Sequence, residues 1–181
     1  MPAVAKLNAY QAQYHFLSGY TARLAGTEVG VKEPTAVFST CFGAPFMPLN
    51  PSVYAGLLAK YMTESKANVW LLNTGWTGKG YGHGERFPLK ATREILRNIQ
   101  SGALAKAPMK THPIFGFEVP TSVANVDPKL LQIPEGEQVT SLANRFMENI
   151  KKFKNLDAKI IEKGGPHPKA NGSSTRTDAH A

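Results

Sequence analysis

"NVWLLNTGWTGKGYGHGERFPLKATREIL", residues 68–96, runs from an apolar stretch through five glycines between Gly75 and Gly84 into a patterned segment. The stretch at 68–74 reads as a strand. Beyond Leu89, the residues Thr92, Ile95, Leu96 and Ile99 recur at i, i+3, i+4 and i+7, which predicts a helix over 89–100. A strand leading through a glycine loop to a helix is a unit of α/β layering. It is also the place where phosphate-binding loops occur, so the glycines need testing against that chemistry.

Neither nucleotide motif fits. A P-loop needs Gly, four residues, then Gly-Lys-Ser/Thr, because the lysine must reach the outer phosphates and the hydroxyl must hold the metal. Gly75 and Gly80 have that spacing, but Tyr81 and Gly82 stand where Lys and Ser/Thr belong. In the dinucleotide pattern, Gly78 and Gly80 are followed by His83 in place of the third glycine. On residues alone the stretch is a strand-to-helix connection whose glycines serve tight turns. Two residues argue for more. Thr92 puts a hydroxyl on the apolar stripe in the helix's first turn, and Arg86 reaches the strand's carboxyl edge, where open α/β sheets hold ligands.

Outward from this unit, Leu7, Tyr10, Tyr14 and Leu17 predict a short amphipathic helix over 7–17. Residues 18–35 have three glycines, a proline and no sustained period, which predicts a long mobile loop of functional purpose. "AVFSTCF" at 36–42 and "HPIFGFEVP" at 112–120 read as further strands. Asn50 before Pro51 reads as an N-cap and first helical position, and 136–153 as a helix apolar at Val139, Leu142, Phe146, Ile150 and Phe153. Beyond Lys163 the chain is too poor in apolar residues to repay ordering, which predicts a disordered tail over 166–181. The alternation predicts an α/β fold, and three strands are few for one.

Twenty-one Lys and Arg against 13 Asp and Glu give a formal charge of +8, which suits an anionic partner without naming it. The start "MPAVAKLNAYQAQ" lacks a signal-type apolar core, and no apolar run has bilayer-spanning length, so the expectation is a cytoplasmic protein without a membrane partner. A single cysteine, Cys41, excludes an internal disulfide, and small apolar packing suits it better than nucleophilic chemistry. His15, His83 and His112 share no metal-ligand spacing, and no paired carboxylates are evident. The composition alone leaves a basic nucleic-acid-binding or free-standing interaction domain as the alternative.

The runs "YHFLSGYTA", "AGTE", "CFGAPF" and "NTGW" together resemble the C-terminal part of ATP-dependent phosphoenolpyruvate carboxykinase, over residues 2 to about 166. The resemblance implies the C-terminal portion of that family's nucleotide-binding domain over 1–165, a mixed sheet with flanking helices. The implied activity converts oxaloacetate and ATP to phosphoenolpyruvate, carbon dioxide and ADP. It further implies that Arg86, Phe87 and Thr92 form part of the adenosine side of the ATP site. Residues 19–38 become a lid, with Gly19, Gly26 and Gly30 permitting closure and Thr27 and Glu28 making contacts when closed. By the same likeness, the phosphate-binding loop, the catalytic residues and the ligands of Mn2+ or another divalent cation lie in a missing N-terminal portion, with Mg2+ on the nucleotide. This chain then holds no catalytic residue or metal ligand of its own and is inactive alone. Its partners would be ATP, oxaloacetate and that portion, and no nucleic acid.

Overall fold

The computed structural model describes residues 1–23, 33–78 and 81–168. A four-stranded sheet is built from β1 (Val4–Leu7), β4 (Val69–Leu72), β5 (Met109–Thr111) and β6 (Glu118–Pro120), in the order β4-β1-β6-β5. Its three pairings are all antiparallel. A separate two-stranded ribbon pairs β2 (Tyr20–Arg23) with β3 (Thr35–Phe38), Tyr20 opposite Phe38 and Arg23 opposite Thr35. The helices are α1 (Ala9–Ser18), α2 (Pro51–Ser65), α3 (Leu89–Gln100), α4 (Glu137–Ile150) and α5 (Ala158–Gly164). The α/β class with flanking helices therefore holds.

Strand alternation divides the apolar residues between two faces. Ala5, Leu7, Phe117 and Val119 join one core with α1, α4 and α5, and Val69 and Leu71 pack against it. Val4 lies in a second core with Ala91 and Ile95 of α3, and Trp70 and Leu72 pack there. The working face of α3 is thus Ala91, Ile95 and Ile99, while Leu96 is exposed. The predicted stripe was rotated by part of a turn.

α1 is enclosed rather than amphipathic. Asn8 caps it in a capping box with Gln11, and most of its residues are buried, from Gln11 through Tyr14 and His15 to Leu17. Its buried polar groups are largely met within the protein. Gln11 Nε2 donates to the Gly116 carbonyl at 3.0 Å, and the Tyr14 hydroxyl donates to the Phe146 carbonyl at 3.1 Å.

Four expectations change. The helix expected over 7–17 starts at Ala9, and Leu7 belongs instead with Val4–Leu7 to β1, one of the sheet's two inner strands. "AVFSTCF" is a strand only to Phe38, after which Thr40–Phe42 and Ala44–Phe46 form 3-10 turns. Within them, Cys41 and Phe42 adopt left-handed backbone angles with φ of 52° and 60°. "HPIFGFEVP" contains the turn joining β5 to β6, closed by His112 N–H donating to the Phe117 carbonyl at 2.8 Å. The ends of the long loop at 18–35 pair as β2 and β3, while Gly26, Thr27, Glu28 and Gly30 lie outside the described residues, as do 169–181 of the tail.

Candidate functional site

Beyond β4 the described residues form a narrow ribbon on either side of the glycine loop. Gly75, Trp76 and Thr77 run antiparallel to Glu85, Arg86 and Phe87. Phe87 N–H donates to the Gly75 carbonyl at 2.9 Å, Thr77 N–H to the Glu85 carbonyl at 2.8 Å, and Trp76 bridges Arg86. Glu85 N–H donates to Thr77 Oγ1 at 3.1 Å. The backbone N–H groups of Thr77, Glu85 and Phe87 are spent on closing this ribbon. Tyr81 packs edge-on to Trp76, ring centroids 5.3 Å apart.

The ribbon places Arg86 in the lining of a cleft of about 870 Å³. Its Nε donates to the Thr74 carbonyl at 3.3 Å and its guanidinium carbon lies 5.1 Å from the Trp76 ring centroid. That stacking orients a planar cation at the carboxyl end of β4. The cleft is walled also by Tyr20 and Ala36 of the β2–β3 ribbon and by Glu137 and Arg145 of α4. Two guanidinium groups and one carboxylate therefore line it, together with the Trp76 ring, a set suited to an anionic ligand with a flat apolar part.

The other two residues implied for adenosine are placed elsewhere. Phe87 is buried in the second core beside Ala91 and Ile95, and its backbone is committed to Gly75. Thr92 is half-buried in the first turn of α3, its N–H bonded to the Pro88 carbonyl at 3.1 Å. Neither lines the cleft that Arg86 lines.

Gly19 ends α1 with φ of 56°, its N–H donating to the His15 carbonyl at 2.9 Å. A Cβ there would lie 1.5 Å from the Ser39 carbonyl oxygen. The glycine is thus required by a close backbone approach at the base of the ribbon.

Arg145 is a cleft residue that the sequence did not single out, and His15, weighed there only as a metal ligand, also lines the cleft. Arg145 looks in sequence like any arginine on the outer side of an amphipathic helix. His15 sits among Phe115, Phe117 and Phe146, with centroid distances of 6.3, 5.0 and 4.9 Å. Its buried Nε2 has no hydrogen-bond partner, and burial lowers its pKa to about 3. Burial pushes the Cys41 thiol up, away from thiolate chemistry. Among the described residues no group of three His, Cys, Asp or Glu side chains could hold a metal ion, and no helix is long and apolar enough to cross a membrane.

A cleft of this size lined by arginines, a glutamate and an aromatic ring is suited to a small ligand. The family model for phosphoenolpyruvate carboxykinase matches residues 1–129. A phosphoenolpyruvate carboxykinase (ATP) of Brucella suis biovar 1 is 50% identical over 161 residues, covering 84% of this chain and 30% of the relative. One from Thermus thermophilus is 47% identical over 174 residues, covering 92% and 33%. One from Methylobacterium nodulans is 47% identical over 169 residues, covering 88% and 32%. The chain belongs to the phosphoenolpyruvate carboxykinase family. It spans about a third of the length of these curated relatives.

Proposed function

We propose that this chain is the C-terminal part of an ATP-dependent phosphoenolpyruvate carboxykinase and supplies one wall of the adenosine site together with the loop that closes the active site. The observation that carries this reading is Arg86, stacked on Trp76 and lining the cleft beyond β4. In the complete enzyme oxaloacetate loses carbon dioxide to give an enolate, and the enolate oxygen takes the terminal phosphoryl group of ATP, releasing ADP.

This chain's residues do the binding and shielding. Arg86 holds the nucleoside side of ATP by a charged donor on a fixed plane, and Thr92 and Phe87, which lie outside the cleft that Arg86 lines, serve the same side of the nucleotide from the start of α3, Thr92 through its hydroxyl and Phe87 by apolar packing. The segment 19–38, with Gly19, Gly26 and Gly30 permitting closure, keeps water from the enolate before phosphoryl transfer. Mg2+ travels with the nucleotide, and the ligands of Mn2+ or another divalent cation belong to the portion of the enzyme outside this chain. The site of action is the cytoplasm.

The reading is tested in an enzyme completed with the remaining portion, by ATP titration of Arg86→Ala and Thr92→Ala. Arg86→Ala should weaken ATP binding by about tenfold or more, as loss of a charge-assisted donor implies. Thr92→Ala should weaken it by roughly two- to tenfold, one neutral hydrogen bond. Unchanged affinity in both, with folding intact, would remove the adenosine assignment.

A further inference from the structure

We propose that the outward face of α2 is a docking surface for the portion of the carboxykinase that this chain does not span. The proposal rests on the reading of the chain as part of a longer enzyme.

α2 carries apolar residues on two sides. Ala55 is buried, and Tyr54, Leu58 and Met62 pack into the first core. Val53, Leu57 and Tyr61, at i, i+4 and i+8, form a second stripe that is 44%, 39% and 60% exposed. The chain entering the helix adds Phe46 at 84% and Leu49 at 56%. A surface helix ordinarily shows one apolar stripe, and a helix with two is covered on both sides. The only charges within α2 are Lys60 and Glu64, which pair with each other at 3.8 Å.

The occupant follows from a second uncovered surface. Among the described residues β4 pairs only with β1, so "VWLL" forms one edge of the sheet without a charge or proline to blunt it. Natural edges of that kind are paired or covered. A second copy meeting across a two-fold axis would cover one self-complementary patch. A helix face and a strand edge left open together fit a larger body, and the relatives have one: roughly two thirds of their length lies outside the part matched here. The occupant therefore offers an apolar face to α2 and an extended segment to β4.

The test coexpresses this chain with the complementary portion of the Thermus thermophilus relative and reads copurification, affinity and amide hydrogen exchange. The expected result is a one-to-one complex in which α2 and β4 gain protection. Leu57→Glu with Tyr61→Glu should weaken the complex by about tenfold or more, as loss of a central apolar anchor does. Leu89→Glu, exposed on another helix, should leave it unchanged. Both altered stripe residues are exposed, so circular dichroism of the isolated variants should match the parent, and the exchange data on the unaltered complex stand without them. No complex, a complex indifferent to the stripe variants, or a stripe that instead joins two copies of this chain would overturn the proposal. A complex that protects α2 but binds no ATP sinks the nucleotide reading and leaves this one standing. ATP binding with an unprotected α2 does the reverse.

Discussion

Arg145 reaches from α4 back to the β2–β3 ribbon, where its Nη2 donates to the Ala36 carbonyl oxygen at 3.1 Å. The same guanidinium lies 5.6 Å from the Phe38 ring centroid, so one side chain both bonds and stacks on β3. Its charge also opposes the rise that burial imposes on the pKa of the Tyr20 phenol. The ribbon thus has an anchor 109 residues away in the chain.

Arg145→Ala should loosen the ribbon and leave the sheet alone. An exposed hydrogen bond plus an exposed cation–π contact is worth about 1 kcal/mol, so amide exchange in 20–23 and 35–38 should quicken roughly fivefold. Arg145→Lys should recover only part, because an ammonium has no plane to stack. Equal exchange in all three proteins would show that the anchor carries no load.

Gly19→Ala should be far more damaging than an ordinary glycine substitution. The new methyl would strike the Ser39 carbonyl at 1.5 Å in a left-handed conformation, so backbone must move and the cost should exceed about 2 kcal/mol. Gly82→Ala is the control, with φ of 82° but nothing within 4 Å, and should cost about 1 kcal/mol. Urea midpoints of the two variants measure the difference.

Acid should destabilise the fold through two histidines. Burial lowers His15 to about 3, and burial with a smaller effect of the terminal ammonium lowers His112 to about 4. His112 Nδ1 accepts from the Ile114 N–H at 3.2 Å, so a proton there would displace that bond. Both groups take up protons more readily when unfolded, near 6.5, than when folded. Their stability contribution is complete above that value and is lost as pH falls toward 4 and then 3, with a slope of about 1.4 kcal/mol per pH unit for each. His15→Phe should flatten the profile by one histidine's share, and an unchanged slope would contradict the buried neutral state.

In the completed enzyme, shortening 24–32 should leave ATP affinity within a few-fold, because Arg86 lies elsewhere, while turnover falls much further. An unshielded enolate is protonated to pyruvate, so the pyruvate to phosphoenolpyruvate ratio should rise. Retention of both turnover and ratio would make the segment an ordinary connection.

The sequence was most legible where local chemistry decides structure. Asn50 accepts from the Ser52 N–H at 3.0 Å with Pro51 in the first turn, as the Asn-Pro pair predicted, and α3 spans the expected residues. β1 was hidden because Leu7 falls three residues before Tyr10 and extends the helical pattern backward. The β5–β6 turn carries Pro113 and Gly116, the latter with φ of 67°, yet it was hidden because Ile114, Phe115 and Phe117 around them are apolar and read as a continuous strand; the ring nitrogen of His112 accepts from the Ile114 and Phe115 N–H groups inside it. Of the cleft, Arg86 could be found through its place after a strand. Arg145 could not, since its partner Ala36 contributes a carbonyl group that every residue possesses.

The inner position of β1 governs how the fold can be reached. Its residues are made near the beginning of this chain, yet Lys6 pairs with Trp70 on one side and Glu118 on the other. Neither neighbour exists when β1 leaves the ribosome, and the second arrives only after most of the chain has been synthesised. Both of these partners follow β1 in the chain, β4 first and β6 much later, so completion of this sheet waits on the closure of long loops.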